Sequence, residues 1–213
     1  MQNHATKTNT SSTPLPMTVY ISSVSGQKTN TSYPFAVSVT TEADLARAAA
    51  YDHVSAKYAG GKNNRGKSVK AYRSKRTFLS SNCLPMDCDN TSTNPLEDDV
   101  PACDWKTPED VRAAFPDVPF YVVYSRNNMK EKNGLPARPR FHVYFPIDEI
   151  VSVERYEQLK AAVQKKFPAF DDNAIDGARF FFGVPDSRFH ACNDPQAEGQ
   201  HRAVSVAACS DRR

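Results

Sequence analysis

The stretch Thr77–Asn90, TFLSSNCLPMDCDN, closes a short apolar run with two carboxylates set two residues apart, Asp87 and Asp89. A strand over Thr77–Cys88 would send residues i and i+2 to one face, so both carboxylates converge on one small volume. Charges that close repel unless a cation stands between them. That leaves a divalent-metal site, a proton-sharing dyad or, with Asn90-Thr91-Ser92 continuing as a turn, a solvated loop. Pro85 removes one ladder donor and predicts that this part of the strand lies at an edge or bulge.

Working outward, Thr107-Pro108-Glu109-Asp110 reads as a helix start, with Thr107 as N-cap and Pro108 in the first position, leading a short helix to Ala114. Phe120–Tyr124 and Phe141–Ile147 are aromatic and β-branched and read as strands. Ser152 caps a helix whose Tyr156, Leu159, Val163 and Phe167 share a face, ending before Pro168. Ala178–Val184, with Phe180, Phe181 and Phe182, supplies a last strand. The sum is β-α-β-β-α-β, an α+β core of the ferredoxin or RNA-recognition-motif type. Upstream, Met17–Ser22 and Pro34–Val39 read as strands. A helix beginning at Thr41-Glu42-Ala43-Asp44 is expected to run to about Tyr58 and end at Gly60-Gly61, which gives the core an N-terminal α/β extension. Residues 1–16 are polar and Thr/Ser/Asn-rich and read as a disordered leader, 17–185 as the domain, and 186–213 as a weakly patterned tail.

A length of 213 residues suits one domain with a substantial core. The net charge of +3 hides an uneven distribution: between His53 and Met86 there is no Asp or Glu, yet eight Lys and Arg fall there. Such a run is either a solvated loop or a phosphate-tracking surface. The five cysteines, 83, 88, 103, 192 and 209, form no C-x-x-C pair, so neither a disulfide framework nor a Cys-rich zinc site is indicated. No run approaches the roughly 18 apolar residues of a membrane span, and no signal-peptide core is present. A cytoplasmic home without membrane contact is the expectation. His190, Cys192 and His201 in the tail have no spacing that supports a metal.

Between the two middle strands lies SRNNMKEKNGLPARPRFHVYF, Ser125 to Phe145. If Phe141, Val143 and Phe145 pack one face of their strand, Arg140, His142 and Tyr144 line the other, which suits anion binding after a basic connection. FDDNAIDGARFFFG, Phe170 to Gly183, adds Asp171 and Asp172 ahead of an aromatic strand that Arg179 enters.

With these motifs the chain, from about Met17 to Pro185, resembles the catalytic domain of archaeo-eukaryotic-type primases, or primase-polymerases, of the branch carried by bacterial plasmids, phages and integrative elements. The resemblance rests on an Asp-x-Asp ending a strand (Asp87, Asp89), a His in a later strand (His142 in RPRFHVYF) and a further acid after the next helix (Asp171 in FDDNAID). It implies templated nucleotidyl transfer in which Asp87, Asp89 and Asp171 hold two Mg²⁺ or Mn²⁺ ions. His142, with Arg138 or Arg140, Arg179 and Ser125, would hold the incoming nucleoside triphosphate. Lys67, Lys70, Arg73 and Lys75 would track the single-stranded DNA template. Asp171 is preferred to Asp172 because it follows apolar Phe170, and Asp176 is the reserve. Arg140 departs from the pattern, standing where many members have a small hydroxyl residue, as does Pro85 in place of an aliphatic one. No zinc stem and no G-x-x-x-x-G-K-[ST] motor occurs, so a replicative helicase partner would lie on another chain.

Three rivals remain from the sequence. A non-catalytic RNA-recognition-like module has the same topology, but Asp87 and Asp89 would repel its ligand's phosphates. A rolling-circle nuclease wants a His-hydrophobe-His pair, and FHVYF offers one His. A repair polymerase of the end-joining kind would belong to the same superfamily.

Overall fold

The computed structural model describes residues 15–92 and 99–184, and the backbone of 189–190. The leader and the tail, with Cys192 and His201, lie essentially outside the described residues. In chain order the elements are β1 (Met17–Ile21), β2 (Phe35–Val39), α1 (Glu42–Ala49), β3 (His53–Val54), β4 (Lys57–Tyr58), β5 (Gly61–Lys62), β6 (Ser68–Val69), β7 (Phe78–Cys88), α2 (Pro108–Ala114), β8 (Tyr121–Tyr124), β9 (Lys130–Lys132), β10 (Leu135–Arg138), β11 (Phe141–Ile150), α3 (Val153–Lys166) and β12 (Phe189–His190). The architecture is α+β with antiparallel sheets.

The central sheet has the order β12-β8-β11-β7-β4. β11 lies between β7 and β8 and is antiparallel to both, so the helix-linked strands β7 and β8 run parallel and are not neighbours. Alternation along these strands builds two cores. Leu84, Met86 and Cys88 of β7, Val122 of β8, and Phe141, Val143 and Phe145 of β11 face the helices, meeting Val111 and Phe115 at α2 and Tyr156 and Phe167 at α3. Their neighbours Cys83, Tyr121, Val123 and Tyr144 face the other way, against Met17, Val19, Val39, Leu45, Ala48 and Ala49 of a layer made by the sheet β2-β1-β3 and α1.

Caps act as read for α2, where Thr107 N–H donates to the Asp110 carboxylate at 2.7 Å and Pro108 starts the helix. Ser152 likewise caps α3, accepting from Arg155 N–H. Pro85 pairs with Tyr144 on one side only, because β4 on the other side reaches no farther than Ser80. Its missing N–H therefore costs no ladder bond, as expected of a locally edge-like position.

Two expectations fail. The helix from Thr41 stops at Ala49 rather than near Tyr58, and His53–Val54 and Lys57–Tyr58 are strands. Beyond the stop lies Asp52, whose buried carboxylate accepts N–H from Gly26 at 2.7 Å, Gln27 at 2.7 Å and Gly183 at 2.8 Å and so ties the chain after α1 to two distant loops. The expected strand over Ala178–Val184 does not form beside β7. This segment makes a single bridge, His53 with Phe181, both bonds 2.9 Å, and the edge strand on β8 is Phe189–His190 instead. Gly183 explains the detour, since a Cβ there would stand 2.5 Å from Ala50 O and Ser25 Oγ. Only glycine allows the chain to pass this close to the end of α1. The basic and connecting loops also contain two short hairpins, β5–β6 and β9–β10, that the sequence did not reveal. No helix among the described residues is long and apolar enough to cross a membrane.

Candidate active site

Asp87 and His142 are direct partners across the β7–β11 ladder, one residue out of register with the helix-side core, and so emerge on the opposite face. Asp89 follows on the same side. The chain then turns at Asn90, which has φ 54° in the left-handed region that Asn tolerates. That turn is held on every side. Asn90 Nδ2 donates to Lys106 O and Pro139 O, both 2.9 Å, its Oδ1 accepts from Lys106 N–H at 2.7 Å, and its own carbonyl accepts from Arg138 Nη1 at 2.6 Å.

The acids are charge-paired unequally. Asp87 Oδ2 accepts from Arg179 Nη2 at 2.9 Å, while Oδ1 is buried without a hydrogen bond and lies 3.5 Å from His142 Nε2. Burial, then the charge of Asp89, pushes the Asp87 carboxyl up to about 7, with Arg179 opposing and Asp171 adding to the rise. Asp89 accepts from Lys132 Nζ at 2.9 Å and lies 3.9 Å from Arg140 Nε. Burial lowers the His142 imidazole to about 4, so the ring is neutral near pH 7, and Phe181 packs against it edge-on with centroids 4.6 Å apart.

These groups line a cleft of about 260 Å³ together with Lys28, Ser125, Arg126, Asn127, Phe180 and Phe182. Asp87, Asp89, His142, Arg179 and Ser125 are thus brought together. Arg138 and Arg140 are fully buried and stay out of the cleft lining. Arg138 forms a bidentate pair with Asp99 while holding Asn90 O, and Arg140 donates to Asn127 O at 3.0 Å and Lys130 O at 2.7 Å. Both shape the loops that carry Asp89 and Lys132.

Asp171 stands beside Asp87 through its backbone, its N–H donating to Asp87 O at 2.8 Å. Its side chain instead caps the 3-10 turn Asp172–Ile175, accepting from Asn173 N–H at 2.9 Å, and lines a second, acid-rich hollow on the far side of Asp89. Asp172 accepts from Gln164. Asp176 lies 3.6 Å from Lys75. The basic set is divided. Lys67 and Lys70 are exposed on the β5–β6 hairpin, whereas Arg73 donates to Ala178 O at 2.7 Å and Lys75 pairs with Glu157 at 2.6 Å.

Lys28, and Phe181 as a site residue, escaped the sequence reading, which had Arg126 and Lys132 only as part of the basic connection from Ser125 to Phe145. Phe181 had a signal: on an extended chain it shares a face with Arg179, two residues earlier. Lys28 had none, because its place depends on Asp52 gathering the Gly26-Gln27 loop from a distance.

Among the described residues no three His, Cys, Asp or Glu side chains stand together closely enough to hold a metal ion. Asp87 and Asp89 nonetheless fit a divalent cation: two carboxylates on one face, one with a buried oxygen that has no hydrogen-bond partner and a raised proton affinity.

No protein-family model and no curated protein matches the sequence. One solved structure similar to this chain is the primase-polymerase (PrimPol) AEP domain of cyanophage S-2L, at 14% identity, over 79% of this chain and 72% of that one, with a TM-score of 0.37. A superposition that loose decides neither topology nor chemistry, which rest on the residues above.

Proposed function

We propose that this protein catalyses template-directed nucleotidyl transfer, as a DNA primase or primase-polymerase of a mobile element. The observation that carries the reading is the buried Asp87 carboxylate beside Asp89, one oxygen of which has no hydrogen bond, in a cleft that also contains four Lys and Arg side chains and a neutral histidine. Asp87 and Asp89 would hold Mg²⁺ or Mn²⁺, and Asp171 would join them as third acid once its side chain leaves Asn173 and turns toward them. When bound, the ions supply the charge that activates the attacking hydroxyl and neutralises the pyrophosphate leaving group.

The chain's own residues do the rest. Lys28, Lys132 and Arg179 place positive charge along one cleft, matching a triphosphate tail. Arg179 and Lys132 are the pair partners of the two acids, so they neutralise the site while it waits and can turn to phosphate oxygens when cations arrive. His142, neutral and clamped by Phe181, can donate one hydrogen bond to a phosphate without competing for the cation. Ser125 adds a hydroxyl at the cleft wall.

One observation favours a second reading, a non-catalytic single-strand-binding module. Both acids already have basic partners, and Asp171 is occupied by Asn173. Incubation with single-stranded template, labelled nucleotides and Mg²⁺ or Mn²⁺, with and without primer, separates the two. Metal-dependent product that disappears in Asp87→Ala and Asp89→Ala supports the polymerase. Binding without product under all conditions rejects it in favour of the module.

A further inference from the structure

Phe180 and Phe182 alternate with buried Phe181 and are both half-buried, Phe180 packing against the cluster of Tyr33, Val54, Ala56 and Tyr58, with their rings 4.9 Å apart between centroids and inclined at 74°. Each ring carries a guanidinium, with Arg73 4.7 Å from the Phe180 centroid and Arg126 3.8 Å from the Phe182 centroid. The result is a strip, Arg73-Phe180-Phe182-Arg126, whose two rings and Arg126 also line the cleft. Its two ends differ. Arg73 is fastened to Ala178 O, whereas Arg126 is exposed, and among the described residues no ion pair or hydrogen bond holds its guanidinium. The strip itself is fixed from behind by the His53–Phe181 bridge and the Asp52–Gly183 bond.

We infer that this strip is a stacking platform for the unpaired bases of single-stranded nucleic acid, with a base seated on Phe182 beneath or beside the Arg126 guanidinium. The inference builds on the polymerase reading, to which it adds the path of the template, and moves that path from the Lys67–Lys75 run to the aromatic rim of the cleft. Aromatic faces accept any base, and planar cations stack on bases as well as pairing with phosphates. Four groups in series, each about 4–5 Å from the next, make a strip longer than one nucleobase, which suits a strand better than a single nucleotide. An Arg-on-Phe contact made only for packing would not need to face a cleft that also contains the paired acids.

The test is binding of the full chain, without nucleotide or divalent metal, to a short labelled deoxyoligonucleotide and to an abasic oligonucleotide of equal length and charge. The expected result is about a ten-fold preference of the wild type for the strand that carries bases. Phe182→Ala and Phe182→Leu should erase that preference, Phe182→Tyr should keep it, and Arg126→Lys should weaken it without changing the salt dependence. Thermal melting of each variant identifies one that has failed to fold, in which case Phe182→Leu and Phe182→Tyr decide. No base preference in the wild type, or the same preference in Phe182→Leu, overturns the platform. Base preference with no nucleotide incorporation would remove the polymerase reading and leave the platform standing, whereas incorporation without base preference would do the reverse.

Discussion

The two faces of the central sheet are made by the same strands and separated by one residue of register, yet they are held together by different physics. Met86 and Asp87 are adjacent and both buried, at 0% and 5% exposure. Met86 lies among Leu84, Phe141, Val143 and Phe145, where every contact is dispersion and burial. Asp87 lies against Arg179 and His142, with one oxygen unsatisfied and a proton affinity raised by burial. The helix side therefore stabilises the fold, as does the apolar layer behind Val123 and Tyr144 on the other face, whereas the end of that face around Asp87 gives up stability to keep a charge poised. Stability and chemistry should accordingly respond to mutation on opposite faces.

The largest separation is expected at Asp87→Ala, which should lower nucleotide addition about 1,000-fold or more, beyond what loss of a single hydrogen-bond donor to a transition state costs. Thermal melting should show a smaller loss of stability than a core truncation, since the variant removes the partner of Arg179 but also a buried carboxylate with one unsatisfied oxygen. A melting temperature that falls as far as in a core truncation would abolish the contrast between the faces. Leu84→Ala provides that reference: fully buried on the helix face, it should cost about 3 kcal/mol in denaturant unfolding while leaving activity per folded molecule near wild type.

Next comes the third acid. Asp171→Asn should reduce nucleotide addition about 100-fold through loss of charge, while Asp172→Asn, whose partner is Gln164, should retain most of it. An Asn can still cap the turn at position 171, so a stability change would point to packing rather than metal binding. Activity surviving in both variants would move the site to Asp176 or remove a third carboxylate.

The smallest effect concerns His53, which joins the two layers through Tyr144 Oη at 2.6 Å and Phe181. Burial holds its imidazole at about 4, with His142 also lowering it and the Tyr51 carbonyl and Asp52 opposing. The folded state thus resists protonation that the unfolded chain accepts near 6.5. His53 contributes stability that is full above that value and is lost as pH falls toward 4, about 1 kcal/mol between pH 7 and 5.5. Melting curves at the two pH values should differ less in His53→Asn than in wild type, and an unchanged difference would assign the acid sensitivity elsewhere.

Much of this was legible in the sequence wherever the signal is local. The caps at Thr107 and Ser152, the period-two alternation of Phe141–Phe145 and the placement of Asp87 and Asp89 on one face follow from neighbours a few residues apart, whereas His142 joins them only through the β7–β11 pairing. What could not be read was set at long range. Asp52, just beyond α1, binds Gly183, 131 residues away, and Gly183 passes too close to Ala50 and Ser25 for any side chain. Arg138 and Arg140 look like phosphate ligands in RPRFHVYF because sequence shows charge but not burial. The Arg138 guanidinium holds Asn90 and Asp99, and Arg140 holds the β9 loop through Nη1 while its buried Nε lies 3.9 Å from Asp89.

The Asp52 carboxylate also bears on the order in which the molecule assembles. Its bonds to Gly26, Gln27 and Gly183 close loops of 25 to 131 residues, so the knot can form only after the intervening sheet and helices have brought its ends together. The helix-side core needs nothing beyond Ala174, so it can condense first. Native-state hydrogen exchange should then find the Gly183 amide opening at lower free energy than the amides of β11, with the cleft loosening as a unit while the core stays closed.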